Sequence, residues 1–219
     1  MKKKVYVFGD VITSKSSIPM INLNSLWWKQ VWKHNPEYKI FNFTETNNSN
    51  DSILRSISQR VYREVDYVLV MWANTNRFEF LFDDYIDTSS YSQWSNVKMG
   101  KKYDNNDEMQ KFSDIFNNFV GKNKGYQLYN SWKNIYLAQC ILNELGIEYV
   151  FTHASKELFS SHNYGNIVFM SSVDMTRWYF PDTTNRNGLL DFANNASAKT
   201  NMDNAYIKFG EGLKKQFVL

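Results

Sequence analysis

Cys140 is the single cysteine in 219 residues. One thiol excludes an intrachain disulfide framework and a cysteine-rich zinc site. Its place in Leu137-Ala138-Gln139-Cys140-Ile141-Leu142 reads as a buried helix position. Histidine is almost as scarce, limited to His34, His153 and His162. No His-x-x-x-His pair occurs, and no metal is expected. The nine glycines form no glycine-rich loop, which removes phosphate-cradling and dinucleotide fingerprints, and no cofactor is expected. Neither sign of charge dominates: the net charge is +3 and the basic residues are dispersed. Composition thus points to neither nucleic acid nor a membrane surface as partner. Lys2-Lys3-Lys4 and Lys214-Lys215 read as solubilising runs. No apolar stretch approaches the length of a membrane span. The first apolar run, Val5 to Phe8, is cut off by Gly9-Asp10, so no signal peptide is visible and a cytoplasmic location is expected.

What the chain has is apolar and aromatic mass, 43% hydrophobic and 17% aromatic residues. That is ample for a packed core, and with neither repeat nor linker a single domain over 1–219 is expected. Val5 to Phe8, Tyr38 to Phe43 and Ile147 to Thr152 read as strands, and Asp66 to Trp72 is continuously apolar like a central parallel strand. Between them lie helical periodicities. Leu23, Leu26, Trp27 and Val31 mark one helix. Ile53, Ile57 and Val61 mark a second, with Asp51 or Ser52 as N-cap candidates. Leu128, Trp132, Ile135, Gln139, Leu142 and Leu145 trace the inner stripe of a long helix stopped by Gly146. Ile167 to Met170 reads as a short strand or loop, and Asp203 to Lys215 as a last helix carrying Ala205, Phe209 and Leu213 on one face. Polar, aperiodic residues 83–107 read as a loop insertion or lid. Alternation of this kind implies an α/β sandwich with a mostly parallel sheet, whose sites lie at the carboxyl ends of the strands.

Two motifs carry chemistry. The first is Val5-Tyr6-Val7-Phe8-Gly9-Asp10-Val11, a strand that runs into Gly-Asp. The second is Trp72-Ala73-Asn74-Thr75-Asn76-Arg77-Phe78-Glu79-Phe80, directly after the buried strand. Together they resemble the SGNH/GDSL hydrolase superfamily, and the Arg-Phe-Glu-Phe ending is similar to a subgroup common in phages and their hosts. The resemblance implies a three-layer α/β/α sandwich with a flavodoxin-like sheet. It also implies a serine nucleophile after Gly-Asp, an asparagine that donates to an oxyanion hole, and an Asp-x-x-His block before the last helix. Val11 stands at the nucleophile position and has no oxygen with which to attack a carbonyl. Asn201 stands where the base histidine is expected, and no histidine follows His162. Asn74 falls in the oxyanion slot, where an amide NH₂ can stabilise developing charge. The alternative for this turn is an asparagine that merely bends the chain, with Arg77 and Glu79 as a surface pair.

The resemblance therefore implies a hydrolase fold without its chemistry: a binding or interaction protein for a small polar ligand or glycan, with Asp10, Asn74, Arg77 and Glu79 near the cleft. A rival is an active esterase or carbohydrate deacetylase with relocated groups, for which Ser14 and His153 are the candidates. Asp10, Glu79, Asp83 and Asp84 offer carboxylates but no spacing suited to glycosidic chemistry. A third reading is a phage-associated structural or assembly protein that meets a protein partner through exposed aromatics. Trp94 and Trp178 are the candidates there, while Trp27, Trp32 and Trp132 belong to inward helical stripes.

Overall fold

The computed structural model describes residues 2–10, 26–32, 35–45, 48–81, 94–98, 107–159, 168–195 and 202–216. The apolar runs form four parallel strands: β1 (Lys3–Asp10), β2 (Tyr38–Glu45), β3 (Tyr67–Trp72) and β6 (Glu148–His153), in the order β2-β1-β3-β6. A second, antiparallel pair joins β4 (Arg77–Leu81) to β5 (Trp94–Lys98). The main sheet is buried on both faces because its strands alternate between two cores. Phe8, Val68, Val70, Trp72, Tyr149 and Phe151 face α2 (Asn50–Arg60) and α4 (Lys124–Glu144). Val5, Val7, Leu69, Met71 and Val150 face α1 (Trp27–Val31) and α7 (Met202–Lys214). The period of two along each strand sorts the side chains to one face or the other. Beyond β6, Trp178 bridges Phe151 in parallel and Tyr179 N–H donates to the Phe151 carbonyl at 2.8 Å, so 178–179 flanks the sheet where a fifth strand would lie.

From β1 the chain moves outward to β2, then crosses back over β1 to reach β3. That reversal in strand order falls between β1 and β3, and in open α/β sheets sites form at the carboxyl edge of such a point. Gly9 makes the close approach possible. Its φ is 147°, and a Cβ there would stand 2.6 Å from the Met71 carbonyl oxygen, so β1 tolerates no side chain at that point. Gly146 ends α4 as expected, with φ 66°. Gly146 N–H donates to Asn143 O and Ile147 N–H to Leu142 O, both at 3.0 Å, the paired bonds of a glycine C-terminal cap.

Several expectations are corrected. The N-cap of α2 is Ser49, whose hydroxyl accepts from Ser52 N–H at 3.1 Å, rather than Asp51 or Ser52. Within 83–107, residues 94–98 form strand β5 against β4, and Asp107 opens helix α3 (Asp107–Phe116), which continues as a π-helical turn over Asn117–Gly121. Phe78 and Phe80 of β4 pack on Phe112 and Phe116 of α3, with ring centroids 4.7–5.1 Å apart. Val168–Ser171 is a short helix, α5, instead of a strand or loop, and α6 (Leu189–Asn195) precedes α7. Cys140 is exposed, one position off the buried stripe of α4. Trp178 is 2% exposed, packed on Trp132, Phe151 and Phe159 with centroids 5.3–5.7 Å away. Its bridge to β6 carries it into the core, so it offers no partner surface. No described helix is long and apolar enough to cross a membrane.

Candidate functional site

Three chain segments meet at the carboxyl edge: 48–50 after β2, 73–77 after β3, and 153–156 at the end of β6. Amide side chains tie them together. Asn48 Nδ2 donates to the Gly9 carbonyl at 3.2 Å, and Arg77 Nη1 donates to the Asn48 carbonyl at 3.3 Å. Asn50 grips Ala73 at both ends: Ala73 N–H donates to its Oδ1 at 2.8 Å, and its Nδ2 donates to the Ala73 carbonyl at 3.3 Å and to Ser131 Oγ at 2.9 Å. The Asn50 amide thus acts as a surrogate strand neighbour for a residue that has just left the sheet. Next along the chain, Asn74 is half-buried and accepts at Oδ1 from Ser155 Oγ–H at 2.8 Å.

Asn74 and Arg77 thus both lie in the segment after β3 but reach to opposite sides, Asn74 to Ser155 after β6 and Arg77 to Asn48 after β2, and Asp10 is the last residue of β1. Val11, Ser14 and Asn201 lie outside the described residues, as do His34 and His162. Glu79 is not the surface partner of Arg77. Its side chain is 3% exposed and accepts from Arg55 Nε at 2.9 Å and Nη2 at 2.6 Å. This two-pronged pair pins β4 against α2, and the guanidinium fork suits a carboxylate better than a lysine would. Asp51 completes the clamp by accepting from Asn130 and Asn134 of α4 at 2.9 and 2.7 Å.

His153 ends β6 with its ring fully buried among Phe159, Trp178 and Phe180. Nε2 lies 2.9 Å from the Arg186 carbonyl. A carbonyl only accepts, so this nitrogen carries the proton. Nδ1 is buried with no hydrogen-bond partner among the described residues. Burial drives the imidazole pKa down to about 4, against a smaller opposing effect of the Arg186 bond. As placed, His153 is a neutral core residue that fixes the 182–188 segment to the sheet. Among the described residues no serine hydroxyl is hydrogen-bonded to a histidine, and none form a cluster of three or more metal-ligating side chains.

At the opposite, amino edge of the sheet lies a cleft of about 340 Å³ bordered by Tyr67, Glu148, Tyr149, Thr176 and Arg177. The two charges that line it are paired, Arg177 to Glu148; elsewhere on this edge, outside the cleft, Lys4 pairs with Glu64 at 2.8 Å. Burial pushes the Tyr149 phenol up to about 12, so it lines the cleft as a neutral group.

Asn48, Asn50 and Ser155 have no part in the motif-based expectation. The available signal is the Asn47-Asn48-Ser49-Asn50 tract directly after a strand, hence on the edge where α/β sites form. Set against models of known protein families and against curated proteins, the chain matches none.

Proposed function

We propose that this chain is an SGNH-hydrolase-like protein that has lost ester-hydrolase chemistry and binds a small polar ligand or glycan at the carboxyl edge of its sheet. The observation that carries this reading is the half-buried Asn74 at the carboxyl end of β3, its Oδ1 bonded by Ser155 beyond β6 and its amide nitrogen unused by any described residue. The strand order β2-β1-β3-β6, with 178–179 flanking β6, supports the flavodoxin-like arrangement of that superfamily. The loss of chemistry rests on Val11 at the nucleophile position and Asn201 at the base position. The relocated-triad rival draws no support from His153: a buried imidazole with a pKa of about 4, bonded to a backbone carbonyl, is a poor base at neutral pH.

The test is hydrolysis of p-nitrophenyl acetate by the unmodified chain and by a Val11→Ser, Asn201→His double variant. The expected result is no turnover above buffer by the unmodified chain and measurable turnover by the double variant. Turnover by the unmodified chain that one Ser or His substitution abolishes overturns the proposal.

A further inference from the structure

The two flanks of the main sheet end differently. Beyond β6, Trp178 and Tyr179 take the next strand position. Beyond β2, no described residue pairs with the sheet. We infer that a second copy of this chain pairs there, β2 against β2 in antiparallel order about a twofold axis at Asn42. β2 keeps an unbroken register with β1 over all eight of its residues, and none of them is proline. Edge strands that avoid partners are usually short, bulged or interrupted by proline. Lys3 N–H donates to the Glu37 carbonyl at 2.8 Å. The odd-numbered residues of β2 therefore turn their backbone groups to β1, and the even-numbered ones turn theirs outward. Thr44 N–H is held locally by Asn42 Oδ1 at 3.3 Å. The outward N–H and C=O of Ile40 and Asn42 meet no partner among the described residues.

Charge selects the occupant and the register. Lys39 and Glu45 lie equally far to either side of Asn42, on one face of the strand, and both are exposed. Neither makes an ion pair among the described residues. A charge on an edge strand ordinarily discourages pairing. In an antiparallel pair centred on Asn42, however, Lys39 of each copy stands opposite the partner's Glu45, which is a favourable cross-strand pair. The same register sets Phe41 opposite the partner's Phe43 at non-hydrogen-bonded positions, where side chains stand closest. Both rings are half-buried and pack on Tyr6 with centroids 5.1 Å away, so the pairing extends an aromatic layer already present. Ile40 faces the partner's Thr44, whose N–H exchanges its long bond to Asn42 for the Ile40 carbonyl. Other centres lack this match: at Phe41 they would oppose Glu37 to the partner's Glu45, and at Lys39 two lysines. The strand is complementary to itself in one register.

Sedimentation velocity over about 1 to 100 µM, the range of a modest protein–protein affinity, tests the inference. The unmodified chain is expected to move with concentration from its 25.9 kDa mass towards twice that value. Lys39→Glu and Glu45→Lys are each expected to weaken the dimer about tenfold, because both cross-strand pairs then repel. An equimolar mixture of these two variants is expected to restore it, since every glutamate again meets a lysine. Asn42→Pro removes an outward N–H without touching the β1 ladder and is expected to leave a folded monomer by circular dichroism. Should that variant fail to fold, the charge variants and their mixture decide alone. A chain that stays monomeric throughout the range overturns the inference. A dimer that the single charge reversals leave intact, or that their mixture fails to restore, overturns it equally.

Discussion

The two edges of one sheet solve the same problem in different ways. At the amino edge, where the strands begin, polar groups are charged, exposed and matched in pairs. The side chains of Lys4 and Glu64 are 35% and 82% exposed, those of Arg177 and Glu148 38% and 59%. At the carboxyl edge buried, uncharged amides do much of the work, with Asn48 and Asn50 each 1% exposed and bonded to backbone. Water screens an exposed ion pair, which adds little stability and answers a nearby ligand weakly. A buried amide is costly to remove, because each group it satisfies is then left bare in a dry setting. The difference teaches where the fold tolerates change and where it keeps a fixed arrangement of donors.

Substitution at the carboxyl edge gives the largest expected break in the comparison. Asn50→Leu keeps the volume but strands the N–H and C=O of Ala73 and the hydroxyl of Ser131. It is expected to destabilise the chain by about 4 kcal/mol in urea unfolding. Lys4→Met at the amino edge is expected to leave the urea midpoint unchanged. Comparable losses from the two substitutions would erase the distinction between the edges.

A somewhat smaller effect is expected from pH. The folded pKa of His153 is about 4, below its ordinary 6.5, so the unfolded chain binds the proton more readily. His153 therefore contributes stability that is complete above pH 6.5 and is lost as pH falls from there to 4, on the order of 3 kcal/mol across that window. The His153 ring resonances are expected to titrate with a midpoint near 4. A His153→Gln variant is expected to lack this part of the acid sensitivity. A ring midpoint near 6.5 would mean that the histidine is open to water and available as a base after all.

The distinction between the edges also marks what the residues disclose by themselves. The strands of the main sheet are legible because apolar runs such as Val68 to Trp72 have few alternatives to burial. Helix α4 is legible from its 3.6-residue stripe and its glycine stop. Gln139 belongs to that stripe as a polar member: its amide takes Asp174 N–H and donates to Ser172 O. The β4–β5 hairpin was hidden because the alternation of Phe78 and Phe80 about Glu79 overlaps a turn read for its motif. Helix α3 was hidden because its apolar face packs on that hairpin instead of the main sheet. The carboxyl-edge amides were the least legible. Asn50 reaches Ala73 and Ser131, 23 and 81 positions away, while asparagine in a polar tract looks the same whether it faces water or a carbonyl. The Asn74 position stands out by its neighbours in sequence; its bond to Ser155 does not, because it spans 81 positions.

The most direct test of the account maps ligand-induced shifts in two-dimensional amide spectra as N-acetylglucosamine is added to the unmodified chain. The account predicts that the shifts gather on Gly9, Asn48, Asn74 and Ser155, at the carboxyl edge. Shifts gathered instead on Tyr67, Glu148 and Arg177, around the amino-edge cleft, would contradict it.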